Sequence, residues 1–336
     1  MKEAKFYLKL ESEKVICQLC PHQCVIKEGK RGICQVRENR KGILYSLVYG
    51  NPCTVSIAPV EKKPLYHVIP GHWRLTLATV GCNFRCKYCQ NWHISQRGLE
   101  SESWSEISAE EVVLEALNQG VKSISFTYTE PTVFYEYMYD ISIIAKDRGL
   151  KVLLNSNGFI NPEPLKNLLP LIDAVNVDLK GFSEEFYHQV CSAKLEPVLE
   201  SLKTIRESKI HLEIVNLIIP TINDDFNQIE KMCRWVVKNL GEDTPLHFTR
   251  FYPAYKFIHL PSTPVQTLER ARKIARDAGL KYVYIGNVPG HEADNTYCPA
   301  CGKLLIKRFN FNILANHVIG GKCKFCQEKI PGIWEG

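Results

Sequence analysis

Fourteen cysteines among 336 residues are the side chains of this sequence best suited to chemistry, and most of them fall into three tight groups. The central group reads Thr79-Val-Gly-Cys82-Asn-Phe-Arg-Cys86-Lys-Tyr-Cys89-Gln-Asn-Trp92, a C-x3-C-x2-C spacing. A tetrahedral structural zinc site or a fully ligated [4Fe-4S] cluster takes four ligands, whereas this loop offers three close thiolates and no fourth within local reach. Cys82, Cys86 and Cys89 would therefore hold a four-iron cluster and leave one iron open. An open iron accepts a chelating amino-carboxylate such as the methionine end of S-adenosylmethionine. The cluster then passes one electron to the sulfonium, which yields a 5′-deoxyadenosyl radical. The plainer alternatives are a structural zinc completed by His93 or the distant Cys53, or simple burial.

Groups of four flank this loop. Cys298-Pro-Ala-Cys301 and Cys323-Lys-Phe-Cys326 are knuckles separated by 21 residues, with Gly302 after the first, the pattern of a zinc ribbon. A rubredoxin-like iron or an auxiliary electron-transfer site is the sharper alternative there. Near the N-terminus, Cys17, Cys20, Cys24 and Cys34 again total four. Zinc would make that module a scaffold, and an auxiliary iron-sulfur cluster would make it an electron relay or substrate ligand; spacing alone does not separate the two. Cys53, Cys191 and Cys233 stand alone and read as buried small hydrophobes. The charged stretch Met1 to Lys14 lacks the apolar centre of a signal peptide, and no apolar run nears the roughly 20 residues that cross a bilayer. The expected location is cytoplasmic, where clustered thiols hold metal rather than pair as disulfides.

These loops need elements to position them. From Arg74 onward strand-like and helix-like runs alternate, the pattern of a parallel sheet with helical crossovers. Strands are expected at 75–80, 123–127, 152–155, 174–179, 211–219, 247–251 and 282–285. Helices are expected at 109–118, after the capping box Ser108-Ala-Glu-Glu111, and at 133–148, 162–169, 197–208, 226–239 and 267–278. The fold class is α/β: too many units for a minimal open sheet and slightly few for a closed eight-fold barrel, hence a partial (β/α)6 TIM-like barrel. The expected divisions are an N-terminal four-cysteine metal module at 1–40, a strand-rich connector at 41–73, the partial barrel at 74–290 and a C-terminal zinc ribbon at 291–336. Ligands of such sheets sit at the C-terminal ends of the strands, and the three-cysteine loop directly follows the first. The net charge of +6, from 42 basic and 36 acidic residues spread along the chain, argues against a nucleic-acid partner.

The loop, with the aromatic Tyr88 before its last cysteine, carries the signature of the radical SAM superfamily. Pro59-Val-Glu-Lys-Lys-Pro-Leu65, Gln90-Asn91-Trp92, Thr127-Tyr-Thr-Glu-Pro-Thr132, Leu154-Asn-Ser-Asn-Gly158 and Val177-Asp-Leu-Lys-Gly181 together resemble the AmmeMemoRadiSam system radical SAM enzymes, relatives of the pyruvate formate-lyase activating enzyme. The resemblance implies a barrel of the radical SAM type and a low-potential donor such as a flavodoxin or ferredoxin. It also implies hydrogen abstraction from a small molecule or a protein, in the activating-enzyme case from a glycine of a partner. Tyr88, Asn91, Thr129, Glu130, Asn155, Ser156, Asn157, Asp178, Lys180 and Asn216 become the expected cofactor contacts, and Lys180 a catalytic candidate. Two departures stand out: Thr127-Tyr128-Thr129-Glu130 lies where activating enzymes commonly carry Gly-Gly-Glu, and Asn155 replaces an acid of their Asp-Thr-Asn segment. Glu213, Thr221, His247 and Arg250, polar residues on or after later strands, are further candidates for contact with adenosine or substrate. The rival classes are a zinc-ribbon nucleic-acid binder using Lys303, Lys307, Arg308, Lys322 and Lys324, and a metal-binding scaffold that leaves S-adenosylmethionine intact.

Overall fold

The computed structural model describes residues 1–99 and 106–335, and an eight-stranded sheet forms its centre. The strands are β1 (Thr54–Pro59), β2 (Trp73–Ala78), β3 (Ser123–Phe126), β4 (Lys151–Ser156), β5 (Ala174–Asp178), β6 (His211–Ile218), β7 (Leu246–Arg250) and β8 (Val283–Gly286), hydrogen-bonded in chain order. β2 to β8 are parallel, and β1 pairs antiparallel with β2 as an added edge. Among the described residues no pairing joins β8 back to β1, so the sheet is open. Helices α1 (Ala109–Asn118), α2 (Tyr135–Asp147), α3 (Pro162–Leu168), α4 (Glu196–Glu207), α5 (Phe226–Leu240) and α6 (Val265–Asp277) make the crossovers. The Ser108 capping box is formed: Glu111 N donates to Ser108 Oγ at 3.1 Å, and Ser108 N donates back to the Glu111 carboxylate at 2.7 Å.

Strand alternation gives the sheet two unlike faces. Leu75, Leu77, Ile124, Phe126, Val152, Leu154, Val175, Val177, Ile214, Ile218 and Phe248 join the helices in the main core, where burying a side chain of that size contributes about 2 kcal/mol. The residues between them, including Arg74, Thr76, Ser125, Asn155, Asn176, Asp178, Glu213 and His247, make the inner face polar. No crossover helix covers that face, so something else must.

At the N-terminal ends of the strands the cover comes from the connector and the chain's last segment. Val60, Leu65 and Val68 pack on Leu153 and Ala174. Glu213 accepts hydrogen bonds from Tyr66 N, His67 N, His211 Nε2 and His247 Nε2 at 2.6 to 3.0 Å, and His67 meets Tyr284 Oη and the Pro331 carbonyl at 2.6 Å each. Glu213 and His247, read from the sequence as cofactor or substrate contacts, thus belong to a buried seam. The reason is their place early on β6 and β7, far from the strand ends that face a ligand.

The N-terminal module is two small antiparallel sheets. Tyr7–Lys9, Val15–Cys17 and Val25–Ile26 form one. Lys2–Glu3, Ile43–Ser46 and Arg37–Arg40 form the other, so the connector's first strand completes the module. A fully buried Arg37–Glu136 ion pair at 2.9 Å pins it to α2. The C-terminal segment carries a three-stranded sheet (Thr296–Tyr297, Leu304–Phe309, Asn312–Asn316) and a hairpin (Val318–Ile319, Lys322–Cys323).

Candidate active site

β2 leads the chain through Gly81, at φ 90°, into the three-cysteine loop. A Cβ at Gly81 would sit 2.7 Å from the Cys34 carbonyl, so only glycine lets the N-terminal module pack this close. Inside the loop Phe84 N donates to Cys82 Sγ at 3.3 Å, Cys89 Sγ lies 3.2 Å from Ser95 Oγ, and Arg85 Nη1 donates to the Cys82 carbonyl at 2.8 Å. Burial pushes the thiols of Cys82 and Cys89 up.

Cys191, expected to be an isolated hydrophobe, reaches the same place. Arg85 N donates to the Cys191 carbonyl at 2.8 Å and Lys87 N to that of Val190 at 3.0 Å, which clamps this turn to the loop. Its thiol faces Cys86, whose own thiol is held down by that interaction and by nearby Lys180. The Cys191 thiol thus interacts directly with that of Cys86.

Asp178, Asn155 and Arg74 share the inner face, and Lys180 follows two residues after Asp178. Lys180 Nζ donates to Asp178 at 3.0 Å and lies 5.9 Å from the Tyr88 ring centroid. Against the cost of burial, Asp178 and the thiols hold this ammonium well above its usual range. Tyr88 stacks on Phe257, and Ser125 Oγ donates to Asn155 at 3.2 Å.

Other expected contacts are spent on the scaffold. The buried Glu130 carboxylate accepts from Thr132 N and Oγ1, Ser156 Oγ and Asn157 N at 2.7 to 3.0 Å. Asn157 Nδ2 donates to Asn83 Oδ1 at 2.8 Å, beside Cys82. Glu130, Ser156 and Asn157 therefore tie the ends of β3 and β4 to the cysteine loop. Thr129 Oγ1 donates to the Thr79 carbonyl and Asn91 Nδ2 to that of Tyr128, both at 2.8 Å. Tyr128 adopts φ 65°, a left-handed conformation that costs a non-glycine residue about 1 kcal/mol or more; the backbone shape survives without the expected glycine. Asn216 shares the helix-facing side of β6 with Ile214 and Ile218 and donates to the Leu179 carbonyl at 2.7 Å. Arg250 Nε donates to the Thr263 carbonyl at 2.8 Å, and Thr221 Oγ1 to that of Pro220 at 2.6 Å.

Two cations on the inner face had no sequence signal. Arg74 is fully buried, with Nη2 donating to the Lys63 carbonyl at 3.1 Å while Nε and Nη1 have no partner. Lys63 Nζ lies 5.3 Å from the Tyr128 ring, within electrostatic reach of Asp178 and Lys180. Both come from the connector and the start of β2, segments that read as plain strand and loop.

The C-terminal quartet has a different geometry. Cys298 and Cys326 thiols are 3.5 Å apart and those of Cys301 and Cys323 3.8 Å. Thiolates about 2.3 Å from one tetrahedral ion stand about 3.8 Å apart, so the donor set fits a single ion. Among the described residues no other group of His, Cys, Asp or Glu brings three ligand atoms within 4.8 Å of one another. The sulfurs of Cys82, Cys86 and Cys89 do not meet that single-ion spacing.

A family model described as the Radical SAM superfamily matches residues 76–236. An uncharacterized protein of Methanocaldococcus jannaschii is 51% identical over 332 residues, spanning 98% of this chain and 99% of that protein. The pyruvate formate-lyase-activating enzyme of Clostridium pasteurianum is 22% identical over 169 residues, 48% of this chain and 67% of that one. In fold, the crystal structure of Streptococcus suis SuiB bound to S-adenosylmethionine matches 66% of this chain and 52% of its own, with TM-score 0.50 and 14% identity.

Proposed function

The chain belongs to the radical SAM superfamily, and from that premise we propose a [4Fe-4S] cluster on Cys82, Cys86 and Cys89 and S-adenosylmethionine on its open iron, in a partial barrel. Once bound, these groups supply the adenosyl radical that abstracts a hydrogen atom. The single observation that carries the reading is three cysteines from one loop at the end of β2, Cys86 buried and Cys82 and Cys89 partly so, beside a polar inner face that no crossover helix covers.

The chain's own residues do the positioning. Glu130 and Asn157 hold the strand ends against the loop, Asn91 fixes the Tyr128 backbone, and Lys180 and Asp178 would hold the cofactor's charged methionine end. Lys63 and Lys180, both within electrostatic reach of Asp178, are the cations available beside that end of the face for a substrate bearing a carboxylate or phosphate. A glycyl-radical activating role is the second reading, favoured by the match to the Clostridium activating enzyme. The C-terminal quartet is assigned a structural zinc ion.

Electron paramagnetic resonance tests cofactor binding. The reduced cluster should change its signal on adding S-adenosylmethionine, and Cys89→Ala should lose that response. A parent signal indifferent to S-adenosylmethionine would mean that the iron is not open.

A further inference from the structure

We infer that Cys17, Cys20, Cys24 and Cys34 hold a second iron-sulfur cluster of the four-iron type rather than zinc. All four cysteines line one pocket between the N-terminal module and the main sheet. No three of these sulfurs lie within 4.8 Å of one another, whereas the C-terminal quartet meets single-ion spacing, so they enclose more room than one ion takes. The rest of the lining mixes apolar side chains such as Leu19 and Ile26 with the polar His22, Arg37, Asn83 and Thr132.

The second observation is where the cavity lies. Asn83, the neighbour of Cys82, forms part of its wall. His22, between Cys20 and Cys24, hydrogen-bonds the Asn83 carbonyl through Nε2 at 2.8 Å. The Cys34 carbonyl packs on Gly81, on the other side of Cys82. Arg85 bonds both the Ile33 and Cys82 carbonyls. The two sets of thiols are thus back to back across one layer of backbone. A scaffold zinc has no need of that adjacency. A four-thiolate cluster, closed to substrate, takes one electron from a reduced flavodoxin-type or ferredoxin-type donor and passes one electron on, itself unchanged after each turn. The site stands on the thiols alone; this relay role rests on the radical SAM reading.

The test is metal and sulfide counting, with resonance spectra, on anaerobically reconstituted full-length protein and on its Cys82→Ala/Cys86→Ala/Cys89→Ala variant. The variant should keep about four irons and four sulfides per chain and a reducible cluster signal, and adding Cys20→Ala should abolish that signal while the parent carries twice the iron. If the triple variant holds no iron and gains a second zinc, the inference falls and the radical SAM reading stands. If parent and triple variant hold the same iron, the second cluster stands and the radical SAM reading falls. Should Cys20→Ala not fold, Cys24→Ser, a half-exposed ligand, serves in its place.

Discussion

Glu130, expected from the sequence as a cofactor contact, also anchors the ends of two strands. Four donors converge on its carboxylate, so Glu130→Gln leaves at least one buried donor facing another donor, which costs about 1–3 kcal/mol. Urea unfolding of the iron-free protein should register that loss. Unchanged stability combined with lost S-adenosylmethionine binding would instead return Glu130 to direct contact with the cofactor. Cys191 carries a second prediction. A thiol beside the Cys86 thiolate favours the more negative, reduced cluster, so Cys191→Ala should shift the reduction potential downward by about 20–60 mV, the worth of one hydrogen bond, and Cys191→Ser should largely restore it. An unchanged potential in both variants would leave Cys191 a packing residue. The three loop cysteines were legible because metal-ligand spacing is local. Cys191, Lys63 and Arg74 were not, because only the fold brings them to that loop and that face.

At the scale of elements, the alternation of strands and helices was read correctly from Arg74 to Gly286, since each crossover pairs a short apolar strand with an amphipathic helix. What periodicity could not reveal is which polar strand residues face a ligand. Glu213 and Asp178 both interrupt apolar strands, yet one lies early on β6 and the other at the end of β5, and only the second borders the site. The short C-terminal strands bury few residues of their own and carry the cysteine quartet spaced for one ion, which would stand in for a larger core. Removing one thiol from the C-terminal quartet in Cys323→Ser should therefore release its ion and lower the melting temperature by on the order of 5 °C. A variant with unaltered metal content and melting point would show that the quartet binds nothing.

Across the whole molecule, the seam under the sheet makes stability depend on pH. Burial lowers His67 to about 3 and His72 to about 4, both below the ordinary 6.5. The unfolded chain therefore takes up protons first, and stability that is fully present above pH 6.5 is lost as pH falls toward those folded values. Each histidine contributes at most about 1.4 kcal/mol per pH unit within that window. Denaturant midpoints should drop between pH 7 and pH 5, and less so in His67→Asn; equal slopes would remove His67 from the account. The same seam joins connector, sheet and chain end through Tyr66, Glu213, Tyr284 and Arg308, so the polar inner face is closed below and left for ligand above.

The central claim is that Cys82, Cys86 and Cys89 carry a cluster that cleaves S-adenosylmethionine. Its most direct measurement is 5′-deoxyadenosine formed under strict anaerobic conditions by the reconstituted, reduced protein, beside Cys86→Ala. The account predicts product from the parent and none from the variant. A fully loaded, reduced cluster that leaves S-adenosylmethionine intact would contradict it.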